Sequence, residues 1–396
     1  MSRTAQHFFT HIAQTSDAPL ALEIDKAEGS WIFTRDGNKY LDLIAGISVS
    51  NTGHRHPYVI QAIKNQLDQY LHTMVYGEHI QGPQVNLAKA LVNRLPSSLN
   101  AVYFTNSGAE AVEGAMKLAK RVTGRTELIS FHHAYHGSTQ GALSLMGSET
   151  FKNAFRPLLP DTVQLTFNDI PSLQHITTHT AAVFAEPVQG EAGVIPATQA
   201  FLEALRKRCT ETGTLLVLDE IQTGFGRTGT LFAFEHYGII PDILLCAKGM
   251  GGGMPLGAFI ASAERMKTLS HDPVLGHITT FGGHPVSCAA GLASLEVLEE
   301  EALLRQVQYK AQLFLNLLKH KAIKSIRSSG LLIALDFENE ALNRKVLGIC
   351  MQRGVLADWF LFNAQSMRIA PPLTITEEEI RFACQVIMES LLLCGE

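Results

Sequence analysis

An excess of charge of one sign, paired cysteines, long apolar runs and repeats are all missing from this sequence, and each absence closes off a class of function. Lys and Arg number 32 against 37 Asp and Glu, a formal net charge of −5, so nothing electrostatic points to nucleic acid or an anionic membrane as partner. The six cysteines, Cys209, Cys246, Cys288, Cys350, Cys384 and Cys394, are scattered without a C-x-x-C pair. A disulfide framework is therefore not expected, and free thiols in a reducing cytoplasm fit better. The 16 histidines fall mostly in loops such as Gly53-His54-Arg55-His56-Pro57, and with no H-E-x-x-H face no metal site is expected. The longest uncharged stretch near the middle, Gly249 to Ala263, is glycine-rich and contains Pro255. It falls short of the roughly 20 apolar residues that a membrane span needs. Met1 to Asp17 is polar and lacks a basic segment followed by an apolar one, so no signal peptide is expected. No repeat or low-complexity tract interrupts the chain.

What remains is an ordinary globular composition, 46% hydrophobic and 17% charged over 396 residues, with a mean hydropathy of +0.09. That length can bury a large core in two or three domains. From residue 101 onward, short β-type runs alternate with helical patterns. Ala101 to Thr105 reads as a buried strand, followed by a helix beginning near Ser107 with Ala109, Val112, Ala115, Met116 and Ala119 on one face. Leu128 to Phe131, Ala181 to Ala185, Leu215 to Leu218, Ile243 to Ala247 and Leu256 to Ala261 follow, each apolar on both faces. Such runs suit the interior of a parallel sheet covered by helices on both faces, and a helix over Phe201 to Thr212 serves as a crossover. Residues 31–50 predict hairpin-like strands with a turn at Asp36-Gly37-Asn38. Residues 286–396 predict helices mixed with two or three strands, such as Leu331 to Phe337. The expected fold is α/β, with a large domain over residues 50–285 and a smaller α+β domain made of 1–49 with 286–396. Val286 to Glu301 reads as one long helix that softens this boundary.

Four short segments carry groups capable of chemistry. The apolar strand Leu215 to Leu218 ends in Asp219, at the carboxyl edge where open α/β sheets place ligands; on its own this also reads as an acid capping the next turn. The run Ile243 to Ala247 delivers Lys248 into Gly249-Met250-Gly251-Gly252-Gly253. Desolvation there lowers the lysine's pKa and favours the neutral amine that Schiff-base chemistry requires, and the glycines let backbone approach a flat ligand. A lysine snorkelling from a strand end is the plain alternative. Thr105-Asn106-Ser107-Gly108-Ala109-Glu110 is a strand-to-helix turn whose free amides and Ser107 hydroxyl suit a phosphate, or an ordinary N-cap. Tyr135 in Tyr135-His136-Gly137 places an aromatic where it can stack on a planar ring or pack in the core. The three-glycine dinucleotide fingerprint is absent, which argues against a dehydrogenase. Together the four segments match the needs of pyridoxal 5′-phosphate (PLP), whose ring nitrogen wants an acid and whose aldehyde wants a lysine.

From Leu41 to Leu373 the chain resembles the class III (ω-) aminotransferases of PLP fold type I, nearest the acetylornithine and ornithine branch. The motifs that carry the likeness are Asn106-Ser107-Gly108-Ala109-Glu110, Glu186-Pro187-Val188-Gln189-Gly190-Glu191, Leu218-Asp219-Glu220-Ile221-Gln222-Thr223-Gly224, Ala247-Lys248-Gly249 and Thr280-Phe281-Gly282-Gly283. The resemblance implies that Lys248 binds the cofactor as a Schiff base and shuttles the proton. It implies that Asp219 keeps the ring nitrogen protonated, that Gln222 contacts the ring hydroxyl and that Ile221 and Tyr135 sandwich the ring. Ser107, Gly108 and Ala109 would hold the phosphate with Thr280 of the partner subunit, in a homodimer with its active site at the subunit interface. His136 and Glu186 count among the cofactor-binding residues on the same basis. Arg368 matches the arginine that binds the α-carboxylate of glutamate or 2-oxoglutarate. Glu191 matches the acid that pairs with that arginine when an ω-amino donor is present.

Three positions depart from the branch. Ser138 stands where an arginine clamps the donor's distal carboxylate, a loss of about 2–5 kcal/mol for a buried charge-assisted contact. Ile47 replaces the tyrosine of ornithine aminotransferases, and His284 replaces an asparagine. The expected activity is therefore transfer of an amino group to 2-oxoglutarate from an ω-amino donor that is acetylornithine-, ornithine-, lysine- or diamine-like. An aminomutase or decarboxylase on the same scaffold is the alternative, and a non-catalytic PLP-binding protein a more distant one.

Overall fold

The computed structural model describes residues 2–395. After a helix over Arg3–His11 come three short strands, β1 (Ile24–Glu28), β2 (Trp31–Thr34) and β3 (Lys39–Asp42). The middle of the chain supplies β4 (Ala101–Thr105), β5 (Glu127–Phe131), β6 (Thr162–Leu165) and β7 (Thr180–Ala185). A two-residue pair, β8 (Val188–Gln189) and β9 (Ile195–Pro196), precedes β10 (Leu215–Asp219), β11 (Ile243–Cys246) and β12 (Gly257–Ala261). The C-terminal part adds β13 (Ser325–Ser329), β14 (Leu332–Asp336), β15 (Val355–Leu356), β16 (Asp358–Phe360) and β17 (Asn363–Ile369).

A seven-stranded sheet ordered β4-β12-β11-β10-β7-β5-β6 forms the centre, and β12 alone runs against its neighbours. Every residue of β7, β10, β11 and β12 is buried, which is why these segments read as unbroken apolar runs rather than alternating ones. The helix Gly108–Thr123 starts at Ser107, whose hydroxyl accepts from the Glu110 amide, and buries Ala111, Val112, Ala115, Met116 and Ala119. The helix Gln199–Thr212 joins β7 to β10, which pair in parallel with Leu215 opposite Ala182. The sequence reading did not foresee β6. It is a half-exposed edge strand, Thr162-Val163-Gln164-Leu165, with too little apolar character to stand out.

This order brings the chemistry-bearing segments to one edge. Asp219 ends β10, Lys248 follows β11, Tyr135 and His136 follow β5, Glu186 follows β7 and Ser107 follows β4. The N-terminal strands form a second sheet, β1-β2-β3-β15, in which β3 pairs with β15 in parallel. A third sheet, β13-β14-β17-β16, carries Arg368 on β17.

Arg227, fully buried in the loop after β10, ties the central sheet to that third sheet. Its Nη1 donates to the carbonyls of Leu331 (2.9 Å) and Pro371 (2.6 Å), and its Nη2 to Asn51 Oδ1 (2.5 Å). Burial among neutral acceptors lowers this guanidinium to about 9. Among the described residues no helix is long and apolar enough to cross a membrane.

Candidate active site

A cavity of about 510 Å³ opens at the carboxyl edge of the central sheet. Ser107, Gly108, Ala109, Tyr135, His136, Ser138, Glu186, Glu191, Asp219, Ile221, Gln222 and Lys248 all line it, joined by Val49, Val188 and Met254, which sequence reasoning did not single out. Arg368 lies just behind the wall, 3% exposed. Ile47 stands outside the cavity lining, in a left-handed run over Ala45, Gly46, Ile47 and Ser48 (φ 49–63°) that brings Val49 to the wall instead. A β-branched residue at positive φ is strained, so tertiary packing imposes this turn. Thr280 sits in an exposed loop away from this chain's own cavity, its carbonyl bonded to His72 Nε2 at 2.8 Å.

Asp219 is fixed on both oxygens. Oδ1 accepts from the Ile221 amide (3.0 Å) and Oδ2 pairs with His136 Nδ1 (2.7 Å). Burial would lower His136, but the bond and charge of Asp219, with Glu186 beyond, outweigh it and raise the imidazole above its ordinary value. His136 Nδ1–H thus donates to the Asp219 carboxylate. Glu186 accepts from the amides of Tyr135 (3.2 Å) and Gly190 (3.2 Å), and burial pushes it up to about 7. Glu220, one residue past Asp219, faces away from the cavity lining; it accepts from the Ala233 and Phe234 amides and is likewise raised to about 7 by burial.

Lys248 occupies a left-handed conformation (φ 48°) at the end of β11, and the surface it keeps lines the cavity. Burial lowers its pKa, Glu191, Asp219 and Glu186 pull it back up, and Arg368 adds to the lowering; the net direction is down. The neutral amine is favoured relative to a lysine in water.

The turn at residues 106–110 is built tightly. Glu110 accepts from the Asn106 amide (2.7 Å) and Nδ2 (2.9 Å), leaving the Gly108 and Ala109 amides at the open head of a 16-residue helix. Gly137, at φ 128°, has to be glycine here: a Cβ would lie 2.7 Å from that of Ala109, so the Tyr135-His136-Gly137 turn closes directly on the helix head.

Arg368 is surrounded by acceptors. Nη1 donates to Glu191 Oε1 (2.5 Å), while Nε and Nη2 donate to Asp358 Oδ1 (2.8 Å) and Oδ2 (2.7 Å). Asp358 was invisible to sequence reasoning. It sits directly opposite Arg368 in the β16–β17 register, but the intervening Leu361-Phe362 carries no Gly or Pro to announce a hairpin.

His284 Nδ1 accepts from the Val286 amide (3.3 Å) and N-caps the helix Pro285–Glu300, doing what an asparagine side chain would do. That requires an unprotonated Nδ1, and burial, then His72, lowers this imidazole. In the same loop burial, then Lys117, lowers His277 from 6.5 to about 4. The unfolded chain protonates these rings near 6.5 while the folded chain resists. The stability that His277 contributes is thus fully present above about 6.5 and is lost as pH falls toward about 4, and the lowered His284 acts in the same direction. Thermal midpoints measured from pH 7 to 4 should decline, and His277→Asn should flatten part of that slope; an unchanged slope in the variant would contradict the assignment.

The family model described as aminotransferase class-III matches residues 12–391. The acetylornithine aminotransferase of Methanocaldococcus jannaschii is 41% identical over 376 residues, 91% of this chain and 91% of that protein. The putrescine aminotransferase of Pectobacterium atrosepticum is 41% identical over 361 residues, 87% of this chain and 76% of that one. Among solved structures, the ornithine aminotransferase of Toxoplasma gondii, described with partial occupancy of PLP at its active site, superposes with a TM-score of 0.91 at 31% identity. That match covers 99% of this chain and 95% of that one.

Proposed function

The chain belongs to the class-III aminotransferases, which are PLP-dependent, and on that premise we propose that it moves an amino group from an ω-amino donor to 2-oxoglutarate, giving glutamate. The observation that carries this reading is the Arg368–Glu191 pair. Glu191 lines the cavity and covers a guanidinium set behind it. An amine whose reacting carbon bears no carboxylate leaves the pair closed, whereas an α-carboxylate displaces Glu191 and takes Arg368.

The residues fit the cofactor. Gln222 Nε2 and His136 Nε2 are buried without a partner among the described residues, as expected of donors meant for a polar ligand. Bound here, PLP supplies the carbonyl carbon and the electron sink. Lys248 Nζ, favoured as the neutral amine, holds the cofactor and carries the proton taken from the donor's reacting carbon. Asp219 presents its carboxylate to the ring nitrogen. Gln222 donates to the ring hydroxyl, Tyr135 and Ile221 flank the ring, and the Ser107 hydroxyl with the Gly108 and Ala109 amides receives the phosphate.

Thr280 of the partner subunit would complete the phosphate site in a homodimer. Exposed apolar side chains on neighbouring segments support that assembly: Ile80 is 97% exposed, Phe281 is 54% exposed, and Phe281 packs on His72 at 4.9 Å between ring centres. The division into a cofactor-holding part, 50–285, and a smaller part, 1–49 with 286–396, is supported by the β3–β15 pairing. Five buried free cysteines support a reducing, cytoplasmic setting.

The test is to add glutamate to the PLP-loaded enzyme and follow conversion of the bound cofactor to its amine form. A panel of ω-amines with 2-oxoglutarate, read by glutamate formation, then identifies the donor. Failure of glutamate to convert the cofactor would favour an aminomutase or decarboxylase instead. Donor choice turns on Ser138, exposed at the cavity mouth and bonded to Tyr135 Oη at 3.2 Å. Ser138→Arg should raise kcat/KM for acetylornithine or ornithine by about tenfold, less than a fully buried charge-assisted contact is worth because the site is exposed. Unchanged kcat/KM for both donors would reject this account of selectivity.

A further inference from the structure

Arg368 has more counter-charge than exchange of one carboxylate for another requires. Glu191 holds Nη1, and Asp358 takes the side-on fork of Nε and Nη2 with both oxygens. The ring of Phe360, fully buried, lies 5.1 Å from the guanidinium carbon and covers one face. The same hairpin also grips the glutamate: the Leu361 amide donates to Glu191 Oε2 (3.0 Å), and the Phe362 amide to the Glu191 carbonyl (3.1 Å). Residues 358–362 therefore contact both members of the pair.

A guanidinium has five N–H groups in one plane. With Nε–H and one Nη2–H committed to Asp358, what remains is on Nη1 and the outer edge of Nη2, the end that Glu191 occupies. We infer that Asp358 is a positioning residue, which locks Arg368 side-on so that the acceptor's α-carboxylate can enter only end-on, in the place Glu191 vacates. Asp358 stays bonded throughout, so the buried guanidinium is never left without an anion while Glu191 is displaced. The carboxylate then meets a fork already fixed in orientation, and little side-chain freedom is lost on binding. An asparagine at 358 cannot do this. Its amide nitrogen would face an N–H of Arg368, donor against donor, so only one of the two bonds survives.

This inference rests on the reading of Arg368 as the carboxylate receptor, and its test separates the two. PLP-loaded wild type, Asp358→Asn, Asp358→Glu and Arg368→Ala are compared in three measurements. These are the half-reaction with glutamate, the half-reaction with a diamine, and calorimetric affinity for glutarate, a dicarboxylate that cannot react. Asp358→Asn should weaken glutarate binding and lower kcat/KM for glutamate by about tenfold or more. The diamine half-reaction should stay within about twofold, because the misalignment touches only a group that this donor does not use. Asp358→Glu, which keeps two acceptor oxygens, should recover part of the loss. Should Asp358→Asn not fold, Asp358→Glu carries the test through the same split between glutamate and diamine. Unchanged glutarate affinity, or equal losses in both half-reactions, would overturn the inference. If Arg368→Ala abolishes glutamate use while Asp358→Asn does not alter it, the inference alone fails. If Arg368→Ala leaves glutamate use intact, the reading of Arg368 fails and this inference with it.

Discussion

Lys248→Ala is expected to lower the rate of amino transfer on the order of 10⁴-fold, the upper range for removing a positioned acid–base group. It is the only lysine among the described residues lining the cavity, so no neighbouring amine can stand in. Three features suit it to the task. Burial lowers its pKa and so favours the neutral amine relative to a lysine in water. Glu191, Asp219 and Glu186 keep the shift from running further. The left-handed backbone (φ 48°) at the end of β11 fixes where the side chain starts, a conformation that costs on the order of 1 kcal/mol in a non-glycine residue and that the flanking sheet imposes. Single-turnover rates of the purified variant, loaded with PLP, measure the effect. A rate within a few-fold of wild type in the absence of added amine would contradict the assignment.

Asp219→Asn should lower catalysis about 10²- to 10³-fold, the usual cost of removing one preorganised electrostatic contact from an active site. The substitution preserves shape and removes charge. The His136 imidazole, now raised by the Asp219 carboxylate against the pull of burial, should fall below its ordinary value in the variant. Both half-reactions should suffer equally, since Asp219 serves the cofactor rather than either substrate. That sets it apart from Asp358, whose loss should be felt with glutamate alone. Stopped-flow rates for glutamate and for an amine donor distinguish these outcomes; a variant impaired with only one of them would reject this role.

Much of the architecture was legible because burial writes itself into composition. β7, β10, β11 and β12 lie inside the sheet, so they are apolar on both faces and stand out as runs. Asp219 and Lys248 were visible for the complementary reason: each is a charged residue that interrupts such a run at its end. What could not be read depends on register and on long-range pairing. His136 meets Asp219 across 83 positions, and Asp358 meets Arg368 only because β16 and β17 form a hairpin whose turn carries neither Gly nor Pro. β6 lies at an edge, and half exposure removes the apolar signal. The displacement of Ile47 from the cavity lining by Val49 follows from a left-handed run, and only Gly46 within it is a residue type that suggests positive φ.

The claim beneath all of this is that the amine of residue 248 is where the cofactor is held covalently. Treating the PLP-loaded protein with borohydride, digesting it and mapping the modified peptide tests that directly. The expected result is a stable pyridoxyl group on Lys248 and on no other lysine. Protein that stays colourless with PLP, or an adduct mapped elsewhere, would contradict it.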